Sequence, residues 1–347
     1  MSLTSASSPL AGRVVVITGA SSGIGLAAAR RFAAAGAKLV LAARGAEALA
    51  AAAADCRQRG AEALPVPTDV GDALQVQALS ERAVERFGGV DIWINNAAVA
   101  VFGRAADLPL ADFQQTLQTN FFGALHGSRA ALELFRARGR GRLINVASAL
   151  GLVSVPYMSP YICAKHAIVA LDSCLRLEPH PPGVTISTIA PAAMDTPIWR
   201  HGANRTGRRI QPLPPLYGPE RVARAILRCA LHPRRMVYVG GGGRLAVIGH
   251  KALPGAYEWL AESIVPRTLF ARGGAERSDG NLFQPSAPPM TPRGGWRGLI
   301  LRRRLALAAI ALLAAGGAAA GVAAARRAGA GRGPRRGRSP GPDRAAA

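Results

Sequence analysis

The chain alternates short apolar runs of strand length with longer segments in which apolar residues recur at helical spacing. This alternation predicts an α/β fold, a doubly wound and mostly parallel sheet that is covered by helices on both faces. With 347 residues, of which 49% are hydrophobic, the chain exceeds one such domain by about a hundred residues. The predicted strands lie near 14–18, 38–43, 64–68, 90–95, 142–147, 184–189 and 236–239.

The first apolar run leads directly into a glycine-rich turn. Val14-Val-Val-Ile-Thr18 is followed by Gly19-Ala-Ser-Ser-Gly23-Ile-Gly25 and then by an Ala-rich helical stretch over 26–35. Strand, glycine turn and helix in this order indicate a dinucleotide site, because the glycines permit a tight turn, close approach to a pyrophosphate and close packing of helix on strand. The N–H groups at the helix N-terminus favour bound phosphates.

A second pattern indicates proton-transfer chemistry. Tyr161 and Lys165 stand four residues apart in Tyr-Ile-Cys-Ala-Lys, which places both side chains on one face of a helix. A phenol with an ordinary pKa of about 10 is a poor acid–base catalyst at neutral pH. An ammonium within a few ångströms favours the phenolate, so we expect Lys165 to lower the pKa of Tyr161. Ser148, which ends the apolar run 143–148, is suited to hydrogen-bond a substrate oxygen.

Together these motifs resemble the short-chain dehydrogenase/reductase family over residues 10–240, and they resemble uncharacterised bacterial members with a C-terminal extension. The resemblance implies a Rossmann fold and a nicotinamide cofactor. Ala98 and Ala192 stand where the family has Gly, which puts the local backbone geometry in question. In chain order, the matching positions are Thr18 to Gly25, Asp69, Asn95-Asn96-Ala97-Ala98, Asn120, Ser148 with Tyr161 and Lys165, and Pro191 to Thr196.

The same resemblance implies roles for individual residues. Tyr161 is the general acid in reduction and the general base in oxidation, and Lys165 lowers its pKa and holds the nicotinamide ribose. Ser148 positions the carbonyl oxygen, and Asn120 supports a water-linked proton relay, although a hydrogen bond inside a helix explains Asn120 equally when it is taken alone. The implied cofactor-binding residues are Thr18, Gly19, Ser21, Ser22, Gly23, Ile24, Gly25, Asp69, Val70, Asn96, Ala97, Tyr161, Lys165, Pro191 and Thr196.

The end of the second predicted strand bears on the choice of cofactor. An NAD site wants a carboxylate there for the ribose 2′-OH, whereas an NADP site wants a cation for the 2′-phosphate. Ala43 occupies the acidic position, Arg44 follows it, and the next carboxylate is Glu47. The sequence therefore favours NADP(H), with Arg44 as a further cofactor-binding residue. The alternative is that Arg44 is a solvated loop cation.

The segment 198–217 follows the predicted nicotinamide loop and corresponds to the family's substrate lid. Its Gly, Pro and Arg content is typical of a mobile loop. Its basic side chains suit either an acidic substrate or a solvated surface, whereas the apolar residues Ile198, Trp199 and Leu216 suit a lipophilic substrate. The basic side chains are Arg200, His201, Arg205, Arg208 and Arg209.

Beyond residue 240 the sequence predicts four further segments. A helical extension covers 241–283, a Pro- and Gly-rich linker covers 284–304, and an uncharged apolar run covers 305–325. That run is long enough to span a bilayer, with a helix lying on the membrane surface or an Ala-rich soluble helix as alternatives. It is followed by a basic tail over 326–347. Because arginines flank both ends of the run, the positive-inside rule does not decide its orientation.

The net charge of +23 invites an anionic partner. The C-terminal arginines adjoin the apolar run, and the chain has no helix-turn-helix or aromatic-interleaved pattern, so membrane lipid is favoured over nucleic acid. The four cysteines have no metal-ligand spacing, no metal is expected, and the N-terminus has no export signal. These features predict a membrane-anchored protein with a cytoplasmic catalytic domain.

The sequence as a whole predicts an NADP(H)-dependent oxidoreductase that interconverts a carbonyl and an alcohol, acts on a lipophilic small molecule and is tethered to a membrane. Family resemblance adds the expectation of a homo-oligomer formed through the helices that carry Asn120 and Tyr161. The alternative is a nucleotide-binding scaffold or sensor without turnover. The Ser148, Tyr161, Lys165 and Asn120 set argues against that alternative, since a sensor needs the glycine turn but not Tyr161.

Overall fold

A computed structural model describes residues 10–287 and 291–296. Strands and helices alternate along most of this length. The strands are β1 (Val14–Thr18), β2 (Lys38–Ala43), β3 (Ala63–Pro67), β4 (Ile92–Asn95), β5 (Val101–Phe102), β6 (Arg140–Val146), β7 (Gly183–Pro191), β8 (Ala203–Asn204), β9 (Arg208–Ile210), β10 (Met236–Val239) and β11 (Phe270–Gly274). The helices are α1 (Gly23–Ala34), α2 (Ala46–Gln58), α3 (Ala73–Phe87), α4 (Leu110–Leu117), α5 (Gly123–Arg138), α6 (Ser159–Leu177), α7 (Ile198–His201), α8 (Pro219–Leu231), α9 (Gly241–Ala252) and α10 (Pro254–Leu269).

Seven strands form one parallel sheet in the order β10-β7-β6-β4-β1-β2-β3. The chain runs outward from β1 through β2 to β3 and then returns to place β4 on the other side of β1. The direction of winding therefore reverses between β1 and β4. In open α/β sheets, the crevice outside the carboxyl ends of the strands at such a switch point is where ligands bind.

The central strands are buried on both faces, as a parallel sheet between two helical layers requires. In β1, Val15 and Ile17 belong to the apolar cluster on one face, which includes Phe32 of α1. Val14 and Val16 point to the opposite face, where the cluster includes Phe135 of α5. This alternation explains why β1 is apolar at four successive positions.

All seven predicted strands are present, with bounds that differ by a few residues from the expected ones. Four short strands were not anticipated by the sequence pattern, namely β5, β8, β9 and β11. The predicted helical extension contains α9, α10 and β11, and β11 pairs antiparallel with β9. The extension therefore returns to the lid segment rather than leaving the domain.

The described part of the predicted linker is bonded to the catalytic body. The Gly23 N–H donates to the Thr291 carbonyl at 3.0 Å, and the Trp296 N–H donates to the Asp195 carboxylate at 2.9 Å. Within 10–287 and 291–296, no helix has the length and apolar character needed to cross a bilayer. The predicted transmembrane segment 305–325 and the basic tail 326–347 lie outside the described residues.

Candidate active site

Two adjoining cavities open at the carboxyl ends of the sheet strands. The large cavity, of about 270 Å³, is lined by Ser148, Tyr161 and Lys165 together with many apolar side chains. The small cavity, of about 90 Å³, lies beside the glycine turn and the end of β2. Ser22, Ala98 and Asn281 line both cavities, so the two form one cleft at the switch point of the sheet.

The three predicted proton-transfer residues meet in the large cavity. A side-chain hydrogen bond joins Ser148 to Tyr161, and the Ser148 hydroxyl also accepts from the Leu150 N–H at 3.1 Å. The Lys165 Nζ lies 5.5 Å from the centroid of the Tyr161 ring and donates to the Val146 carbonyl at 2.8 Å. The i, i+4 spacing on α6 thus brings the phenol and the amine together. Ser148 lies two residues after the end of β6, and this position places its hydroxyl beside the phenol.

Burial shifts the two titratable groups in opposite senses. It raises the pKa of Tyr161 to about 12, with the Ser148 hydrogen bond opposing the shift, and it lowers the pKa of Lys165 to about 7. The expected lowering of the pKa of Tyr161 by Lys165 is therefore not found in the chain alone. The reason is desolvation, which disfavours the phenolate and the ammonium alike and thereby weakens the charge that was expected to stabilise the phenolate.

Asn120 lies in a π-helical turn, Gln118–Phe122, between α4 and α5. Its side chain is fully committed to the loop after β4, since Oδ1 accepts from the Val99 N–H at 2.8 Å and Nδ2 donates to the Val99 carbonyl at 2.9 Å. Asn120 is not among the residues that line either cavity. Its described contacts position the loop, and the water-linked relay remains a prediction.

The glycine turn is packed as closely as backbone allows. A Cβ on Gly25 would lie 2.0 Å from the Gly19 carbonyl oxygen, and a Cβ on Gly19 would lie 2.7 Å from the Ala97 Cα. The Asn96 side-chain amide donates to the Thr18 carbonyl at 3.0 Å. These contacts hold the turn against the end of β4, so the approach that lets backbone N–H groups face a pyrophosphate is built into the fold.

The predicted cofactor residues divide between the two cavities, apart from two that support the turn without lining either one, Thr18 and Gly25. These residues therefore lie along one cleft, where they would hold an extended dinucleotide. The large cavity is lined by Ser22, Gly23, Ile24, Asn96, Tyr161, Lys165, Pro191 and Thr196. The small cavity is lined by Gly19, Ser21, Ser22, Arg44, Asp69, Val70 and Ala97.

The two Gly-to-Ala departures are accommodated without backbone strain. Among the described residues, Tyr157 is the one non-glycine position with a positive φ, so neither Ala98 nor Ala192 needs glycine's conformational freedom. A Cβ on Gly243 would lie 3.0 Å from the Ala192 methyl. The glycines at the start of α9 therefore leave room for the methyl group that Ala192 adds.

The C-terminal extension contributes cavity walls that the sequence did not predict. Gly242, Gly243 and Ala246 of α9 and Tyr257 of α10 line the large cavity, and the Tyr257 hydroxyl donates to the Ser154 carbonyl at 3.0 Å. Asn281 follows β11 and lines both cavities. The four consecutive glycines at 240–243 were the available signal, because such a run permits a helix to approach a neighbouring backbone closely.

Most lid cations are engaged within the protein rather than presented to the cavity. Arg205 donates to the buried Asp112 carboxylate at 2.6 Å and to Asp279 at 2.6 Å. Arg200 lies over the Trp296 ring at 4.8 Å, and Arg208 lies over the Phe270 ring at 4.0 Å. His201 lines the large cavity, and burial, followed by the charge of Arg200, lowers its pKa. The lid is thus bonded to other parts of the chain at these residues, and its mobility remains a prediction.

The apolar lid residues are divided by the structure. Ile198 and Trp199 line the large cavity, as do Leu213, Pro214 and Pro215, whereas Leu216 is buried outside it. Three further apolar residues between Ser148 and the start of α6 complete the wall, namely Val153, Val155 and Met158. The large cavity is therefore lined mainly by apolar side chains, with polar groups at Ser148, Tyr161 and Lys165 and at further positions that include Asn96, Thr196 and His201.

Arg44 is partly buried at the small cavity, with burial lowering its pKa and Asp69 opposing that shift. Its Nη1 donates to the Leu282 carbonyl at 3.1 Å and to the Phe283 carbonyl at 3.3 Å, and its Nη2 donates to the Asn281 carbonyl. Arg44 is therefore a fixed side chain, and the alternative of a solvated loop cation does not describe it.

The family model for short chain dehydrogenases matches residues 13–206. An uncharacterised oxidoreductase of Bacillus subtilis, YxnA, is 36% identical over 293 residues, which cover 82% of this chain and 82% of that protein. The chain therefore belongs to the short-chain dehydrogenase family, and its likeness to YxnA is longer than the part that the family model matches.

Solved structures agree on the fold. An alcohol dehydrogenase from the archaeon Thermococcus sibiricus, complexed with 5-hydroxy-NADP, has a TM-score of 0.57 and 29% identity, covering 65% of this chain and 95% of that one. A short chain dehydrogenase/reductase from Burkholderia phymatum, in complex with NAD, has a TM-score of 0.61 and 29% identity, covering 77% of this chain and 99% of that one. These relatives hold different nucleotides, so likeness alone does not select NADP or NAD.

Proposed function

We propose that this short-chain dehydrogenase uses NADP(H) to interconvert a carbonyl and an alcohol on a lipophilic small molecule. The observation that supports the proposal is a cleft in which the Ser148–Tyr161 pair lines a mainly apolar cavity at one end, while Arg44 lines a small cavity at the other. Bound NADP(H) supplies or accepts the hydride.

The chain's own residues manage the proton and the orientation of the substrate. In reduction, the Tyr161 hydroxyl donates its proton to the carbonyl oxygen as the oxygen gains negative charge, and in oxidation the phenolate takes the proton back. Ser148 donates a hydrogen bond to the same oxygen. Lys165, buried beside the ring, favours the phenolate whenever it is itself protonated. The raised pKa of Tyr161 in the chain alone keeps the phenol protonated, which suits the reductive direction.

The apolar cavity walls support the choice of a lipophilic substrate. An apolar chain or ring that leaves water for this cavity gains about 25 cal/mol for each Å² that is buried, whereas a polar group placed against the apolar part of the wall loses hydration without a partner. Three of the lid arginines that would attract an acidic substrate are engaged elsewhere, Arg205 with Asp112 and Asp279, and Arg200 and Arg208 with aromatic rings.

A homologous series of ketones of increasing apolar length tests the substrate class. We expect kcat/KM with NADPH to rise along the series by several-fold for each added methylene that is buried, since one buried CH₂ contributes about 0.8 kcal/mol. A small polar ketone of equal carbonyl reactivity is the control. Equal or higher kcat/KM for the polar ketone would contradict the lipophilic assignment while leaving the cofactor assignment intact.

We also propose that the full chain associates with membranes and forms homo-oligomers. The membrane proposal rests on the apolar run 305–325 and its flanking arginines, because a basic, apolar segment favours a lipid surface. Flotation of the full chain with vesicles containing anionic lipid, compared with a chain ending at residue 296, tests it. Flotation of both chains alike, or of neither, would contradict tethering by this segment.

Light scattering of the detergent-solubilised chain tests oligomer formation.

A further inference from the structure

The loop that follows β11 closes the small cavity from outside the region that the family model matches. Three successive backbone carbonyls, those of Asn281, Leu282 and Phe283, accept from the terminal nitrogens of the Arg44 guanidinium. Asn281, Pro285 and Ser286 also line the small cavity. We call Asp279–Gly280–Asn281–Leu282–Phe283 the clamp loop. One guanidinium is therefore held at the cavity wall by a segment more than two hundred residues away in sequence.

The clamp loop has anchors besides its contacts with Arg44. The Asn281 N–H donates to the His201 carbonyl at 2.7 Å, and Asp279 pairs with Arg205 at 2.6 Å. Leu282 is fully buried in an apolar cluster that includes Val101. The loop is thus seated by contacts other than those with Arg44, and its carbonyls limit the directions that the guanidinium can take.

The contacts leave part of the guanidinium available to a ligand. Arg44 Nε has no hydrogen-bond partner among residues 10–287 and 291–296, while both Nη atoms are engaged. A guanidinium presents its Nε–H and the neighbouring Nη–H as one edge that matches two phosphate oxygens. Holding the guanidinium with carbonyls limits the movement of that edge and adds no competing negative charge.

From this geometry we infer that the clamp loop is a cofactor-specificity element, and that it preorganises Arg44 for the 2′-phosphate of NADP(H). The inference rests on the proposed NADP(H) function and adds to it the segment that makes Arg44 effective. Holding a long side chain in its binding geometry removes the entropy loss that it would otherwise suffer when the ligand binds. A displaced clamp loop is therefore expected to weaken binding of NADPH and to leave binding of NADH unchanged.

Gly280 offers a way to displace the clamp loop at one point. Its φ is +52°, and a Cβ there would lie 2.2 Å from the His201 carbonyl oxygen and 2.7 Å from the Gly202 carbonyl carbon. Both neighbours are backbone, so Gly280→Ala moves the loop rather than a flexible side chain. Gly255→Ala is the matched control, because a Cβ at Gly255 has nothing within 4 Å. Leu282→Ala, which unseats the loop by removing its buried side chain, is a second variant if Gly280→Ala folds poorly.

The experiment is a binding cycle in the full chain. The dissociation constants of NADPH and NADH are measured by titration for wild type, Gly280→Ala, Arg44→Met and the double variant, with folding checked by circular dichroism. We expect Gly280→Ala to weaken NADPH binding by about three- to tenfold, the factor that corresponds to immobilising one rotamer-rich side chain. In the Arg44→Met background the same change should have no further effect on NADPH, because the loop acts through Arg44.

The outcomes separate the two proposals. If wild type prefers NADPH and Arg44→Met loses that preference while Gly280→Ala and Leu282→Ala keep it, the clamp is overturned and the NADP(H) assignment stands. Equal weakening of NADPH by Gly280→Ala with and without Arg44 would also overturn the clamp, since the loop would then act on the cofactor by another route. A wild type that binds NADH as tightly as NADPH would overturn the NADP(H) assignment and the clamp together.

Discussion

The large and the small cavity both lie at the carboxyl ends of the sheet strands, but different parts of the chain supply their functional groups. At the large cavity, side chains perform the chemistry, and burial shifts the pKa values of Tyr161 and Lys165 in opposite directions. At the small cavity, backbone dominates, through the glycine turn and the carbonyls of the clamp loop. We therefore expect side-chain substitutions to disrupt the reaction at the large cavity, and substitutions that displace the backbone to disrupt cofactor selection at the small cavity.

The largest effect is expected at the reacting end. Tyr161→Phe removes the proton donor but keeps the ring and the shape of the cavity, so we expect kcat for ketone reduction to fall by about 10²–10⁴-fold. The dissociation constant of NADPH should stay within about twofold, since Tyr161 contributes no charge to the nucleotide. Steady-state kinetics and cofactor titration measure the two quantities.

Tyr157→Phe is the matched control, because it removes the same hydroxyl from a ring that packs against Phe270 rather than lining the large cavity. Its kcat should be close to that of wild type. A similar loss of kcat in both variants would mean that the aromatic packing, and not the Tyr161 proton, limits turnover.

A substitution in the glycine turn is expected to have the reverse effect of Tyr161→Phe, because it should weaken nucleotide binding. Gly25→Ala places a methyl group 2.0 Å from the Gly19 carbonyl oxygen, and the turn has no room to yield. We expect a loss of about 2–3 kcal/mol in the free energy of unfolding and a loss of binding of NADPH and NADH alike. Chemical denaturation and cofactor titration check this.

Gly249→Ala provides the comparison, because a Cβ at Gly249 lies in open space within α9. It should raise the free energy of unfolding by about 0.5–1 kcal/mol, the usual gain from replacing a helical glycine with alanine. Unchanged nucleotide binding in Gly25→Ala would show that the turn does not hold the cofactor.

The buried lysine makes stability depend on pH. Lys165 has a pKa of about 7 in the folded chain and an ordinary value of about 10.4 when unfolded, so the unfolded chain binds one more proton over this window. The free energy of unfolding therefore rises with pH from 7 to 9, by up to about 1.4 kcal/mol per unit from this group. Denaturation of wild type and Lys165→Met at pH 7, 8 and 9 measures the contribution as the difference between the two slopes.

In that experiment the wild-type slope should exceed the Lys165→Met slope. Parallel slopes would mean that Lys165 stays protonated in the folded chain, and the electrostatics of the reacting end would then differ from those described above. The window stops at pH 9 because the raised pKa of Tyr161 acts in the opposite direction above the ordinary phenol value of about 10.

The smallest effect is expected at the wall that the extension contributes. Ala246→Phe adds a ring beside the apolar cavity, so we expect kcat/KM for a bulky ketone to fall by about tenfold, within the range for an overpacked apolar site. A short ketone should be affected less, and NADPH binding should not change. Equal losses for both ketones would indicate that α9 does not contact the substrate.

The glycine turn and the Tyr161–Lys165 pair could be predicted from the sequence, because each is formed by residues that are close together in the chain. The glycine turn follows its strand directly, and Tyr161 and Lys165 share one helical turn. The order of these motifs along the chain then predicted which strands bring their carboxyl ends together at the site. The clamp loop was not predictable in this way, since its contact with Arg44 joins residues 237 to 239 positions apart. Nothing in a single sequence specifies which carbonyl a distant arginine contacts.

The direction of the pKa of Tyr161 was also beyond sequence reasoning. The i, i+4 spacing correctly indicates that Lys165 lies near the phenol, but the shift depends on how much water both groups lose, and that is set by walls from α9, α10 and the lid. The lid arginines show the same limit. A run of basic residues suggested an exposed, charged loop, whereas Arg205 meets the buried Asp112 of α4.

The central claim is that this cleft performs NADPH-dependent carbonyl reduction, and the most direct test is to follow NADPH consumption and alcohol formation after an apolar ketone is added to the full chain. The account predicts one alcohol formed for each NADPH consumed, with slower consumption of NADH at the same concentration. Tight binding of NADPH without consumption, across apolar and polar ketones alike, would contradict the claim and would favour a nucleotide-binding scaffold.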